Sequence, residues 1–297
     1  MDVLSDAIAA MRAGRPYSTL TAADRPWAMP FPAFGGARFH VVVAGRYRLT
    51  GLEEPAVLLG PGDAVLFPHG TAHTLETATD GPTEILCGAY QLDQARPHPL
   101  IQDLPDVVSL PARADRYPAL QASIDLLRHE LAEQSPGQDA VLPALLDVLL
   151  VQLIRAWFTA RAGLQDTGWC VALGDKAIAR SLRAMHEDPA HPWTVESLGA
   201  RADLSRAAFA RRFTTLVGLP PLTYLTWWRL TTAAHLLQTT DAPLSAVAQR
   251  SGYGSAYAFA NAFKREYGVS AGRYRHQRRT DHQHITEWVP GEAEVEV

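Results

Sequence analysis

The sequence predicts an α+β protein of several domains: an N-terminal β-barrel, a helical hairpin, and a C-terminal all-α domain. Three observations carry this. Residues 1–112 are rich in Gly and Pro and hold short β-branched and aromatic runs. Two stretches between 117 and 158 carry leucines at helical spacing. From Asp175 onward the pattern is almost wholly helical and repeats itself at a period of 50 residues.

Composition sets the frame. The 297 residues leave room for about two domains. With 47% hydrophobic and 20% charged residues, collagen-like, coiled-coil and mostly disordered chains are excluded. Cys87 and Cys170 are the only cysteines, which excludes a disulfide framework and favours a reducing compartment. No basic-then-apolar leader opens the sequence. The most apolar stretch, 140–158, is interrupted by Pro143, Asp147, Gln152 and Arg155. It reads as too short and too polar to span a bilayer, so a soluble, cytoplasmic protein without membrane contact is expected.

The net charge of −4 conceals an asymmetry. Residues 1–174 carry a net −7, residues 175–279 a net +8 and residues 280–297 a net −5. A cationic segment within an acidic chain is what a polyanion-binding module needs, because its cations displace counterions condensed along phosphates. A chance excess of solvated arginines is the competing reading. Only two Lys stand beside 25 Arg, so Arg in place of Lys carries little weight. Asn261 is the only Asn in the chain.

The elements follow in order. The runs RFHVVVAGRYRLTG, AVLLGPGDAVLFPHGTAHTL and TEILCGAYQL predict several antiparallel strands in a sandwich or barrel, filling a sensor domain at 1–112. Residues 113–163 predict a helical hairpin. Its first helix carries Leu120, Ile124, Leu127 and Leu131; Ser135-Pro136-Gly137 makes the turn; the second carries Leu142, Leu145, Leu146, Leu149, Leu153 and Trp157. The hairpin packs either on its own barrel or on a second copy of the chain. Residues 164–174 read as a linker and 280–297 as a flexible acidic tail.

Between them, the 50-residue repeat is the strongest signal. Ser205, Ala208, Phe209, Ala210, Phe213, Gly218 and Tyr224 fall on Ser255, Ala258, Phe259, Ala260, Phe263, Gly268 and Tyr274. The Ser accepts from free backbone N–H groups at a helix start. Two Phe four residues apart form one apolar stripe. The Gly ends the helix where a left-handed residue is needed. A short amphipathic helix precedes each unit, Val195 to Arg201 and Leu244 to Arg250, so each unit reads as a helix-turn-helix.

With the stripe facing inward, Arg206, Arg211 and Arg212 of the first unit and Tyr257, Asn261 and Lys264 of the second face outward. Arg211 and Asn261 occupy equivalent places, two residues after the first Phe. Arg suits bidentate bonding to guanine, and Asn to adenine, in the major groove. A solvated helix residue is the alternative for Asn261; a phosphate contact or plain surface charge is the alternative for Arg211, and a rim position for Arg212. A stiff connecting helix would place the two recognition helices about 34 Å apart, one duplex turn.

Residues 175–279 resemble the DNA-binding domain of AraC-type transcriptional regulators. The matching pieces are WTVESLGARADLSRAAFARRF, the helix Tyr224 to Leu237 with Arg229-Leu230 and Ala233, PLSAVAQRSGYGSAYAFANAFKREYG, and Ser270 to Arg275. The resemblance implies DNA contacts from the outward residues and from the helix starts at Ser205 and Ser255. This sequence departs from the family at Asn261, where a basic residue is usual, and at Ala271, where Pro is frequent.

GDAVLFPHGTAH fits the second cupin motif through Gly62, Pro68, Gly70 and His73, and FHVVVAGRYRLTG resembles part of the first through Gly45. Metal-binding cupins place a His-x-His pair and a Glu before that Gly; here those places hold Pro32, Phe34 and Arg38. His40 and His73 remain as imidazoles, weak metal candidates because a closed site takes about four ligands. A structural or ligand-contacting pair is expected instead, with no resident metal or cofactor.

Together the pieces resemble the cupin-containing subgroup of AraC-type activators. This implies double-stranded promoter DNA and RNA polymerase as partners and a small molecule or oxidant as signal; a homodimer is the partner that one of the two readings of the hairpin would add. Some relatives respond to oxidants through cysteine, and Cys87 stands where they carry one; a small buried hydrophobe is the competing reading. The alternative function is a metal-dependent cupin enzyme with an accessory helical domain, against the expectation that the chain is not an enzyme.

Overall fold

The computed structural model describes residues 2–11, 16–52, 55–92, 98–112, 115–133, 135–161, 163 and 167–281. The acidic tail expected from 280 lies, beyond residue 281, outside them. The chain forms two compact units, one of residues 11–175 with 215–218, the other of residues 1–10, 176–214 and 219–297.

Among the described residues, the first unit is built on two antiparallel sheets from nine strands: β1 (Tyr17–Ala23), β2 (Ala28–Phe31), β3 (Gly36–Ala44), β4 (Tyr47–Thr50), β5 (Val57–Leu59), β6 (Ala64–Phe67), β7 (His73–Thr77), β8 (Thr83–Gln91) and β9 (Val108–Leu110). One sheet runs β1-β8-β3-β6-β9 and the other β2-β7-β4-β5. Tyr47, Phe67, Leu75 and Ile85 are among the fully buried side chains of the core between them. The cupin-motif Gly70 turns the chain into β7 with a left-handed φ of 62°, and a Cβ there would come within 2.2 Å of the Phe34 carbonyl oxygen.

The hairpin comprises α3 (Pro118–Glu133) and α4 (Gln138–Arg161) and packs on this barrel; a short α2 (Pro99–Gln102) precedes it. Tyr90 of β8 donates to the Leu146 carbonyl of α4, and Arg128 of α3 pairs with Glu84 of β8 at 3.4 Å. One expectation needs correcting: α4, at 24 residues, is long and apolar enough to cross a membrane. Reading 140–158 alone cuts the helix short. Within the unit Leu146, Leu149, Leu150, Leu153, Ile154, Ala156 and Trp157 are buried, so its apolar character serves this core.

The expected linker at 164–174 also needs correcting, because Trp169–Gly174 form α5. Asp103 fixes its start, accepting from the Trp169 backbone N–H at 2.9 Å, while the Trp169 ring is buried against His98 with centroids 4.8 Å apart. Short length and a capping carboxylate 66 residues away hide this helix from local patterning.

The second unit holds α6 (Lys176–Glu187), α7 (Val195–Arg201), α8 (Arg206–Val217), α9 (Pro221–Thr239), α10 (Leu244–Arg250), α11 (Ala256–Tyr267) and α12 (Ala271–Asp281). It also takes α1 (Val3–Met11), which the sequence pattern assigns to the sensor domain at 1–112. Val3, Leu4, Ala7 and Ile8 of α1 are buried, and Asp6 lies 3.4 Å from Nδ1 of the buried His186. Amphipathicity marks α1 as a helix that buries one face but does not say against which partner.

Replacing Asp103 by Ala removes the cap of α5. The expected cost is about 1 kcal/mol, seen as a fall in melting temperature of roughly 2–4 °C and faster amide exchange at Trp169. Unchanged exchange there would show that this carboxylate does not anchor the helix.

Candidate nucleic-acid interface and barrel interior

Each helix-turn-helix unit is assembled from its own sequence. Thr194 and Ser197 form a reciprocal capping box that starts α7, with N–H···Oγ distances of 2.9 and 3.0 Å. Ser255 accepts from the Ala258 N–H at 3.1 Å and so starts α11; the equivalent contact at Ser205 is 3.4 Å. Gly218 and Gly268 close α8 and α11 in left-handed conformation.

The repeat is three-dimensional. Phe209–Phe213 and Phe259–Phe263 share one geometry, with ring centroids 5.5 Å apart and planes at 57°. Phe213 then packs edge-on against Tyr224, as Phe263 does against Tyr274. All four Phe are fully buried. Each tyrosine hydroxyl is bonded at 2.7 Å, Tyr224 with His186 and Tyr274 with Gln238. The turns differ by one residue. Leu204 N–H donates to the Gly199 carbonyl and Tyr253 N–H to the Ala248 carbonyl, both at 2.9 Å and 49 residues apart, so Gly254 is the extra residue of the second turn.

This burial fixes which side chains face out. Ser205, Arg206, Arg211, Arg212, Ser255, Tyr257, Asn261 and Lys264 are all exposed, Tyr257 by 79%. Arg265, an exposed cation next to Lys264, joins them; spacing from the Phe stripe does not single it out.

Within the barrel, His40 on β3 and Cys87 on β8 are register partners, and His73 comes from β7 of the opposite sheet. The structure brings all three together. Cys87 Sγ lies 3.0 Å from His40 Nδ1, His40 Nε2 lies 2.8 Å from His73 Nε2, and His73 Nδ1 lies 2.7 Å from the Thr71 carbonyl oxygen. The carbonyl only accepts, so His73 carries its proton on Nδ1. His73 Nε2 then accepts from His40, whose Nδ1 accepts from the Cys87 thiol. The three groups form one directed chain of neutral donors and acceptors. Phe67 stacks on His73 at 3.7 Å, and Phe31 lies over His40 at 4.6 Å.

Burial is the main cause of the perturbed acidities. It holds His40 well below 6.5, assisted by the nearby His73 and Arg38, and brings His73 down to about 4 against an opposing bond to Thr71. It pushes the Cys87 thiol up to about 12, with Arg38 opposing. Thiolate is therefore scarce at neutral pH. The three metal-ligand places of the first cupin motif are filled by a different arrangement. Arg38 Nη1 donates to the Pro32 carbonyl at 3.2 Å, and its guanidinium lies 4.6 Å from the Phe34 ring centre and 5.1 Å from that of Phe31. Among the described residues, no group of three or more His, Cys, Asp and Glu is arranged to hold a metal ion. His40 lies between Cys87 and His73 and turns a different nitrogen to each.

Comparison with known proteins decides the family. The family profile described as Cupin matches residues 2–159, and the profile described as Helix-turn-helix domain matches residues 198–277. An AraC-like transcription regulator of Streptomyces antibioticus is 32% identical, the match covering 93% of this chain and 98% of the relative. The chain belongs to the AraC family of transcription regulators. It is also 30% identical to the RCS-specific HTH-type transcriptional activator RclR of Escherichia coli K12, over 84% of this chain and 88% of that one. Among solved structures, it is similar to the DNA-binding domain of AdpA in complex with a target DNA, with 34% identity over 37% of this chain and 98% of that chain and a TM-score of 0.35. Its relatives are transcription regulators, and the alternative of a metal-dependent cupin enzyme gives way to them.

The acidities set a stability window. The histidines stay neutral when folded but protonate below 6.5 when unfolded, so their contribution is present above 6.5 and lost as pH falls toward 4. The thiol stays neutral when folded but ionises near 9.0 when unfolded, so its contribution is present below 9.0 and lost as pH rises toward 12. The urea midpoint, followed by tryptophan fluorescence, should fall on both sides of this window. His73→Gln should make the acid limb shallower and Cys87→Ala the alkaline limb. A wild-type midpoint that holds steady down to pH 4.5 would contradict the neutral chain.

Proposed function

We propose that this regulator is a sequence-specific promoter activator that reads DNA through α8 and α11 and senses its signal through the barrel interior. The observation that carries this is the pair of exposed polar helix faces, each fixed by a buried Phe pair, within the segment of net charge +8. Arg211 bonds guanine O6 and N7, and Asn261 bonds adenine N6 and N7. Arg206, Arg212 and Lys264 hold phosphates, and Tyr257 lies against a base or sugar edge. Ser205 and Ser255 accept from helix amides and turn their own O–H protons toward phosphate. The 19 residues of α9 span about 28 Å, a length suited to successive major grooves.

The signal, a small molecule or an oxidant, acts on His40, His73 and Cys87. A ligand that inserts a polar group breaks the directed chain; a peroxide-type oxidant converts Cys–SH to Cys–SOH, its second oxygen leaving as water or alcohol, and so replaces the S–H that faces His40 by a longer S–O–H. RNA polymerase, and a second copy of the chain through the hairpin, complete the partners. The protein acts in the cytoplasm, without a resident metal or cofactor.

Genome-wide footprinting of the intact protein, with and without oxidant and candidate metabolites, tests the whole reading. Discrete promoter sites whose occupancy or transcription responds to one signal are expected. Occupancy indifferent to every signal would reduce the barrel to an oligomerisation module. On a footprinted site, affinity should fall steeply with salt. Arg211→Ala should cost about 1–3 kcal/mol and relax preference at one base pair; an equal loss on all sequences would instead make Arg211 a phosphate contact.

A further inference from the structure

The two helix-turn-helix units are joined covalently by α9, and a second, non-covalent joint lies beside it. The loop between α6 and α7 leads into the first unit and is braced by its own contacts. Trp193 Nε1 donates to the Asp188 carbonyl at 2.9 Å, the His191 N–H donates to Asp188 Oδ1 at 3.0 Å, and Arg201 of α7 lies over the Trp193 ring at 5.4 Å. Arg229 of α9 grips this loop with both arms of its guanidinium: Nε donates to the Pro189 carbonyl at 2.6 Å and Nη2 to the His191 carbonyl at 2.9 Å.

The second unit touches the same point. Gly252, in the turn between α10 and α11, has a left-handed φ of 76°. A Cβ on it would lie 2.8 Å from the Pro189 carbonyl oxygen, 2.9 Å from Ala190 Cα and 2.9 Å from Arg229 Nε. Turn, loop and linker helix therefore meet with no room for one extra carbon. The contact is half-buried, and loss of water lowers the Arg229 pKa against the opposing influence of Tyr253 and Asp188.

We infer that the Arg229 junction fixes the placement of α8 relative to α11 and so sets the spacing of DNA elements that the protein accepts. The inference rests on the reading of both helices as DNA-contacting. Arg229 acts here as a positioning residue. Each unit keeps its own core, Phe209, Phe213 and Tyr224 in one and Phe259, Phe263 and Tyr274 in the other. Loosening the junction leaves both cores whole and frees only their mutual orientation. Two linked binding elements gain affinity from being held at the right separation, and that gain is what a loosened joint gives up. The planar fork suits the role because it fixes direction as well as distance, which a Lys ammonium does not.

The test uses the full chain and operators selected by the wild type from a random duplex library. Affinity is measured by fluorescence anisotropy on three duplexes: the selected one, one with two base pairs inserted between elements, and one with the second element scrambled. Wild type should lose roughly tenfold or more on the insertion. Arg229→Met should bind the selected duplex roughly tenfold more weakly, lose little more on the insertion, and match wild type on the single element. Arg229→Lys, with one donor in reach, should fall between. Retained spacing preference in Arg229→Met, or an equal loss on the single-element duplex, would overturn the inference. Selected operators with only one element would overturn the two-helix reading and the spacer role with it. If circular dichroism shows Arg229→Met unfolded, Arg229→Lys decides on the same duplexes.

Discussion

The second unit depends on the burial of one phenylalanine pair, used twice. A side chain four residues along a helix lies on the same face, so Phe209 with Phe213, and Phe259 with Phe263, can only be buried by turning that face inward. Each buried Phe contributes about 1.5–3 kcal/mol, enough that α8 and α11 have no competing rotation about their axes. Everything outside follows from this choice. Arg211 and Asn261 lie on the solvent face because the stripe two residues away does not. The tyrosines complete the constraint, since Tyr224 and Tyr274 cover the second Phe of each pair and are held by hydroxyl bonds to His186 and Gln238.

The barrel shows how a metal-binding frame accommodates other chemistry. A cation occupies the region of the missing ligands, but it is a fixed guanidinium on Phe31 and Phe34. Its charge disfavours protonation of His40 and His73, in the same direction as desolvation, and favours the Cys87 thiolate, where desolvation prevails over it. Neutral imidazoles can bond one another only when each presents one donor and one acceptor in sequence. The Thr71 carbonyl imposes that direction, and it reaches Cys87 through two rings.

Local patterning makes much of this legible. Helix caps, the Phe stripes and the period of 50 residues all lie within short windows, and His73 stands in a motif that places it inside a barrel. The upstream helices α7 and α10 are offset by 49 residues rather than 50, so the extra Gly254 is also within reach. What local windows miss depends on distant pairing. Cys87 meets His40 because β8 lies beside β3, a register 47 residues apart in sequence. Asp103 caps a helix from 66 residues away. Arg229 reads as one more basic residue, because the carbonyls of Pro189 and His191 that it bonds lie 40 and 38 residues earlier in the chain. The allegiance of α1 likewise needs a partner face that its own nine residues do not name.

The two units agree at the residues that define the repeat and differ over the outward face of α8 and α11. Phe, Tyr, Gly and the capping Ser are identical at equivalent positions. The outward positions are not: Arg206 corresponds to Ala256 across the repeat, Ala207 to Tyr257, Arg211 to Asn261, and Thr214 to Lys264. A fold of this kind presents one rigid scaffold with two unlike surfaces. An arginine-bearing helix and a helix carrying Tyr, Asn and Lys offer different hydrogen-bond patterns. On the proposed reading, two identical faces would select a tandem repeat of one element. On that same reading, unlike faces select two different elements, and the connection through α9 sets their order. The inner constraint of the Phe pairs and the outer difference of the exposed residues therefore serve one end.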